Sequence, residues 1–364
     1  MQYKKTNTRN SNIELLRILA MMGVIILHYN NTQIGGAFKY ASSIKLNCCI
    51  LYMLECIFIS AVNVFLLISG YYMCSSKKVS ISKPFQLIIQ VIFFRVSSFI
   101  IFVLINKIPY SNKELQNSFL PINYFVILYV ALYVLTPFIN FLVNRISIKA
   151  LSRLIFILLT LFSIWPTIVD ILIHTSDNSL SELSTISMFG SQYGYTIVNF
   201  MLMYILGAYI FRLNITKHTN YRQRFVYFSL LILCWLVLFV CSQYNINTQN
   251  SIIVTFSYCN PFVIASSIIT FILFVKLKPR TNKLINTLAK GSFTVYLTHT
   301  YFFDLLNIDK FATRQPFILI THIIISCTFI YIICWILSLI YSGIEKLLLT
   351  PIYKKLNSIC ITCE

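Results

Sequence analysis

The apolar run NIELLRILAMMGVIILHYN near the amino terminus carries three side chains that hydrocarbon tolerates poorly, Glu14, Arg17 and His28. An ionisable group at membrane depth costs at least about 2.5–3.5 kcal/mol on insertion scales, so each needs a partner, a wet cavity or a function. Arginine stays charged and offers forked donors to phosphate or carboxylate. An imidazole titrates near pH ~6.5 when unperturbed and is a usable base at neutral pH. Together Arg17 and His28 offer a grip on an anionic ligand and a base for a proton, two of the parts that a group-transfer site needs.

Their spacing makes the pairing geometric. Eleven residues at about 100° each return to within about 20° of the same helix face, so the stripe reads Glu14, Arg17, Met21, Val24, His28. At 1.5 Å rise, His28 stands roughly 16 Å above Arg17. Glu14, three residues before Arg17, is placed to neutralise it and lower its burial cost. Spacing alone leaves a second reading open, in which Arg17 snorkels to the inner headgroups and His28 sits at the outer interface.

Other polar residues are candidates of lower rank. His299 falls mid-span, where it can line the same cavity or simply bond to a neighbour. Asn63 and the Ser69-Gly70-Tyr71 turn can bond substrate, and such residues equally glue transmembrane helices together. Glu55 has no evident role, whereas Asp170 and Asp304 can reach outer-side water. His322, His174 and His218 need only ordinary solvated positions. Cys56, Cys74, Cys234, Cys241, Cys259, Cys327 and Cys334 lie in or beside apolar runs and read as small buried hydrophobes. The terminal Cys360/Cys363 pair has no second pair or His cluster nearby, so neither metal nor redox chemistry is expected of it.

The elements that must position these groups are membrane spans. The chain has 364 residues, of which 58% are hydrophobic and only 11% charged, against roughly 25% charged in soluble domains. Apolar runs of about 20 residues, long enough for a hydrocarbon core of about 30 Å, recur at 12–31, 50–73, 84–105, 121–143, 154–173, 194–211, 225–243, 254–275, 290–307 and 316–342. The expected fold is an all-α integral membrane protein, a bundle of about ten transmembrane helices. Residues 12–342 form one membrane domain between cytoplasmic tails at 1–11 and 343–364.

The net charge of +19 raises nucleic acid as a partner until the cations are placed. With the amino terminus inside, 21 of the 29 Lys and Arg fall on inner segments and 6 on outer loops, Arg17 and Arg95 being within spans. Lysine and arginine stay cytoplasmic in this way, so both termini are expected inside. The charge then needs only anionic lipid headgroups, and no nucleic acid is expected. Glu14 and Arg17 interrupt the first span and no cleavage site follows it, so it should stay attached.

These segments together resemble membrane acyltransferase family three. The resemblance rests on the Arg-(ten residues)-His of the first span, NVFLLISGYYM, INYFVILYVALYVLTPFINFL, FMLMYILGAYIFR and GSFTVYLTHTYFF, the last carrying Ser292, Tyr296 and His299. It implies transfer of an acyl group, acetyl foremost, from cytoplasmic acyl-coenzyme A to a sugar hydroxyl of a capsular or other envelope polysaccharide, in a bacterial cytoplasmic membrane. His28, Arg17 and Glu14 then form the catalytic set. Arg17 holds the coenzyme, with Lys83 and Arg95 as loose counterparts of a paired arginine that KPFQLIIQVIFFR lacks. Asn63, Ser69, Tyr71, Tyr296 and His299 line the substrate cavity. Direct attack is favoured over an acyl-histidine intermediate, though these residues fit both. Two competing functions remain: a flippase of lipid-linked glycans, which predicts inverted repeats that are not visible, and a polysaccharide polymerase, which predicts a basic outer loop where 174–193 has no Lys or Arg.

Overall fold

A computed structural model describes residues 9–175, 178–214, 220–247 and 254–363. Lys4, Lys5, Lys217 and His218, and the side chain of His174, lie outside the described residues. The chain is built almost wholly of helices: α1 (Ser11–Asn30), α2 (Lys45–Phe58), α3 (Ala61–Met73), α4 (Ser82–Leu104), α5 (Tyr124–Arg145), α6 (Ile148–Leu159), α7 (Trp165–Thr175), α8 (Ile197–Arg212), α9 (Tyr221–Asn247), α10 (Pro261–Val275), α11 (Lys283–Lys290), α12 (Ser292–Thr298) and α13 (Pro316–Ile344). Two three-residue strands, β1 (Lys78–Ser80) and β2 (Cys360–Thr362), pair antiparallel with Ser80 opposite Cys360.

Among the described residues seven helical stretches are long and apolar enough to cross a membrane, not ten. α2 and α3 make one of them, with a break at Ile59 and Ser60, and α6 and α7 make another. α8 and α10 are apolar but only 16 and 15 residues long, about 24 and 22 Å at 1.5 Å per residue. The expected ninth span, 290–307, is not a single helix. It breaks at Gly291, where an added Cβ would stand 2.7 Å from Trp335 Cδ1, runs through the short α12, and tightens to a 3-10 turn over His299–Leu305. Thr, His, Tyr and Phe hold the α-helix weakly, and 3-10 pieces inside a passage often mark functional positions.

α1 is the axis of the bundle. Two-thirds of its apolar window (67%) is buried inside the protein, against 22% for α4 and α9. Asn10 caps its first turn, and the Ser11 hydroxyl donates to Asn286 Oδ1 at 2.8 Å while accepting from Asn282 N at 2.6 Å. That docks the start of α1 on the entry to α11. Glu55 finds its role at the other end, where Asn30 Nδ2 donates to its Oε2 at 2.9 Å and ties α1 to α2.

One acid and one histidine expected at solvated positions are structural instead. Asp170 is buried and accepts from both the backbone N–H and the hydroxyl of Ser191, which holds the 187–194 loop down. Half-buried His322 sits between the Tyr29 hydroxyl, 2.8 Å from Nδ1, and the Leu306 carbonyl, 3.0 Å from Nε2. Asp304 does reach the exterior, 2.5 Å from Lys107 Nζ. Of the seven cysteines read as buried, six are; Cys241 is on an exposed helix face.

The described part of the carboxy-terminal segment, residues 343–363, packs back on the bundle. Beyond α13 the chain turns back so that β2 completes the ribbon with β1, and Ser82 at the start of α4 donates to Asn357 Oδ1 at 2.5 Å. The Ser69-Gly70-Tyr71 segment is not a turn either, but the last part of α3. There α3 meets α8 through reciprocal glycines. A Cβ on Gly70 would lie 2.0 Å from the Tyr204 carbonyl oxygen, and one on Gly207 would lie 2.3 Å from that of Leu67. Small residues allow such backbone approach. Overpacking costs typically 1–3 kcal/mol and more where backbone must move. Gly70→Ala and Gly207→Ala are therefore each expected to lower the unfolding free energy by about that much, read as an earlier midpoint in SDS titration of the purified protein.

Candidate functional site

The stripe on α1 forms one wall of a cavity. Arg17 Nη1 stands 3.4 Å from Glu14 Oε1 and 3.5 Å from Oε2. Glu14 is buried at 6% exposure, while the Arg17 side chain keeps 34% of its surface open. The long contacts to Glu14 offset the charge without using all five guanidinium donors. Beside the pair lies a cavity of about 410 Å³ lined by Arg17, Met21 and Val24 from α1.

The mouth of this cavity is cationic. Arg9 comes from just before α1, Lys83 from the first turn of α4, and Lys290 from the last residue of α11. These are helix ends gathered at one end of the bundle. Deeper, the walls turn apolar with Met21, Val62, Phe65, Leu87 and Phe293. A few hydroxyls remain among them. The Ser69 hydroxyl donates to the Phe65 carbonyl at 3.0 Å, so the Tyr129 hydroxyl, 3.1 Å away, is the donor between those two. Tyr296 donates to Asn123 Oδ1 at 3.1 Å. Asn123 also caps α5, so the Tyr296 ring is fixed from the sheltered side.

One helical turn beyond Val24 stands His28. Its Nδ1 is 2.8 Å from Nε2 of His299, with ring centroids 4.8 Å apart. His299 is 1% exposed, and its own Nδ1 is 3.0 Å from the Val295 carbonyl oxygen. Ring centroids of Tyr296 and Phe303 lie 6.2 and 6.3 Å from that of His299. The pair therefore sits directly past the innermost cavity wall, with Tyr296 between.

Of the residues singled out from sequence, Arg17, Lys83, Ser69 and Tyr296 line the cavity, Glu14 backs Arg17, and His28 and His299 form the pair beyond it. Three are elsewhere. Arg95 donates to the carbonyls of Asn117 and Ile122 and tethers the 112–123 connection, so it is no partner of Lys83. Asn63 is fully buried, donating to the Tyr258 carbonyl and accepting from Asn199, which knits α3 to α8 and to the chain entering α10. Tyr71 packs edge-on against Tyr72, Phe211 and Phe271.

Sequence reasoning missed Arg9 and Lys290 as site residues because it counted them only as topology markers. The one signal for Lys290 was its place directly before the Gly291-Ser292 segment. Tyr129 carried no signal beyond its position in INYFVILYV.

An acyltransferase domain model matches residues 10–339, nearly the whole membrane-embedded part. The chain belongs to acyltransferase family 3. No match was found among curated proteins or among solved structures. The match takes in the histidine pair and every cavity-lining residue except Arg9, and stops before the β1–β2 ribbon closes, so family membership and the cavity geometry concern the same helices.

If the cationic mouth is an anion site, Lys83 and Arg95 should separate cleanly. Lys83→Met is expected to weaken ADP binding several-fold in calorimetry at low salt, with the difference shrinking as salt screens the exposed charge. Arg95→Met should instead lower the melting temperature and leave ADP affinity unchanged.

Proposed function

We propose that this acyltransferase moves an acyl group, acetyl foremost, from cytoplasmic acyl-coenzyme A to a sugar hydroxyl of a cell-surface polysaccharide or its lipid-linked precursor, in the bacterial cytoplasmic membrane. The observation that carries the reading is a cavity with a cationic mouth at one end of the bundle and a histidine pair past its inner end. The excess of Lys and Arg on the segments expected inside supports a cytoplasmic mouth. Phosphates of the donor would rest among Arg17, Arg9, Lys83 and Lys290, where charge-assisted bonds are strongest. The uncharged arm would run between Met21, Val24, Phe65 and Phe293 toward His28.

In this mechanism the acceptor hydroxyl arrives from the outer side, and His28 takes its proton as the oxygen attacks the thioester carbonyl. Arg17 stays roughly 16 Å away, so it acts on donor binding and not on the proton. Glu14 serves by holding Arg17. A flippase would need a path with charge in both halves, whereas the cations of this cavity cluster at one end.

Two substitutions test this. At equal membrane abundance, His28→Ala should reduce glycan ester content by two orders of magnitude or more, in line with the roughly 10²–10⁴-fold worth of a general base; undiminished esters, by mass or NMR, would sink the mechanism. Arg17→Ala should raise the donor KM about tenfold or more, as expected from losing a charged hydrogen bond of about 1.5–3 kcal/mol, with Arg17→Lys intermediate. Equal coenzyme A binding by all three proteins would make Arg17 structural.

A further inference from the structure

We infer that His299 is a positioning residue that fixes the tautomer of His28, leaving the far nitrogen of His28, Nε2, as the unprotonated base. The inference rests on the reading of His28 as the base, and it specifies which of its two nitrogens does the work.

The chain of bonds begins at a group that can only accept. The Val295 carbonyl oxygen lies 3.0 Å from Nδ1 of His299, so that nitrogen carries the hydrogen. In a neutral imidazole the other nitrogen then holds a lone pair. This is Nε2 of His299, 2.8 Å from Nδ1 of His28. A lone pair at that distance calls for a donor, so Nδ1 of His28 carries the second hydrogen. By the same rule Nε2 of His28 is left with its lone pair. The Val24 carbonyl, one turn back on α1, also faces the His28 ring. No hydrogen bond to Nε2 is found among the described residues, and it is not an enclosed, unsatisfied atom.

The direction cannot be reversed at low cost. If His28 were protonated on Nε2 instead, Nδ1 would accept from His299, whose own Nδ1 would then set a lone pair against the Val295 oxygen. A buried pair of acceptors in contact loses a hydrogen bond and gains repulsion. His299 is well held for this task, being 1% exposed and standing at the step from α12 into the 3-10 turn.

His322 supplies the contrast on the same side of the bundle. The Leu306 carbonyl and the Tyr29 hydroxyl occupy its two nitrogens, so it fastens α1 to α13 and has no free base to offer. Tyr29 and His28 are adjacent in sequence and each reaches a histidine. Of His28, His299 and His322, only His28 keeps a nitrogen to spare.

The relay also keeps the proton on His28. The acceptor oxygen forms its bond to the acyl carbonyl carbon, its proton passes to Nε2 of His28, and the carbon–sulfur bond breaks. The thiolate leaves with that proton, so His28 ends neutral. Moving the proton on to His299 would put the charge on the more buried ring, bonded to a carbonyl that cannot take a proton further.

The test reads the tautomer directly and the rate separately. ¹⁵N-histidine-labelled protein in nanodiscs should show His28, assigned by its loss in His28→Gln, as the Nδ1–H form. In His299→Leu that signal should move toward the Nε2–H form. Thiol release from acetyl-coenzyme A, in membranes containing the native acceptor, should show kcat reduced roughly ten- to hundred-fold with donor KM unchanged. His299→Gln, whose side-chain oxygen can accept from Nδ1–H, should restore the tautomer and most of the rate. Finding His28 as the Nε2–H form in the wild type overturns the inference, and so does a His299→Leu protein with unchanged tautomer and kcat. Neither result touches the proposed function, which falls only if His28→Ala retains transfer. Should His299→Leu fail to fold, the wild-type and His299→Gln spectra still decide.

Discussion

Polar atoms inside an apolar bundle have no water to turn to, so each one on α1 must find its partner on a neighbour. Ser11 meets Asn282 and Asn286, His28 meets His299, Tyr29 meets His322, and Asn30 meets Glu55. Slipping α1 by one residue would rotate all of them by about 100° and strand buried donors at about 1–3 kcal/mol each. The rotation of α1 is therefore set at both ends. It is this rotation that turns Arg17, Met21 and Val24 into the cavity and keeps His28 on the line they define.

The rest of the bundle divides into a wall that closes and a wall that stays apart. On the closed side Gly70 and Gly207 bring α3 and α8 to backbone contact, and Asn63 with Asn199 stitches the same pair. On the open side α4 approaches through its first two turns, with Lys83 and Leu87 at the cavity, and higher up Gln90 donates to Thr294 Oγ1 at 2.8 Å. The space between is kept by side chains of different reach: phenylalanines from α3, α5 and α12 line it without filling it. Gly291 lets α12 approach α13 closely enough for this geometry, which places Ser292 and Tyr296 on the cavity and His299 behind them.

How much of this was legible in the sequence follows from what periodicity measures. A 3.6-residue repeat fixes which side chains share a face of one helix, so the Glu14–Arg17–Met21–Val24–His28 stripe and the Glu14/Arg17 contact were readable in advance. It does not say which helix lies opposite. Asn63, Tyr71 and Arg95 have the residue types of a site, yet their partners are Tyr258 and Asn199, Phe211 and Phe271, and two loop carbonyls. Arg9 and Lys290 are 281 positions apart and share the cavity only because Ser11 is bonded to the 282–286 turn. Hydropathy located the apolar runs but not the break at Gly291, since an average over a run does not register where one helix ends at Lys290 and the next begins at Ser292. The His28–His299 pairing was half visible: both residues stood out, and the bond between them is a tertiary fact.

The charge balance at the mouth bears on what can enter. Arg9, Arg17, Lys83 and Lys290 supply four cations. Glu14 pairs with Arg17, and Glu345 is close enough to Lys83 to interact with it. Two positive charges remain in surplus at a rim that is partly open to solvent. A ligand bearing two or more negative charges at one end would be drawn there and held, since exposed cations attract it before contact. The same charges could not pass between Phe65 and Phe293 without losing hydration that the few hydroxyls there, already bonded within the protein, do not replace. The cavity thus sorts a ligand by its parts, an anionic head at the rim and an uncharged arm inward. On the proposed mechanism an arm that spans roughly the 16 Å between Arg17 and His28 brings its reactive end to the His28 nitrogen that the bonding pattern leaves free.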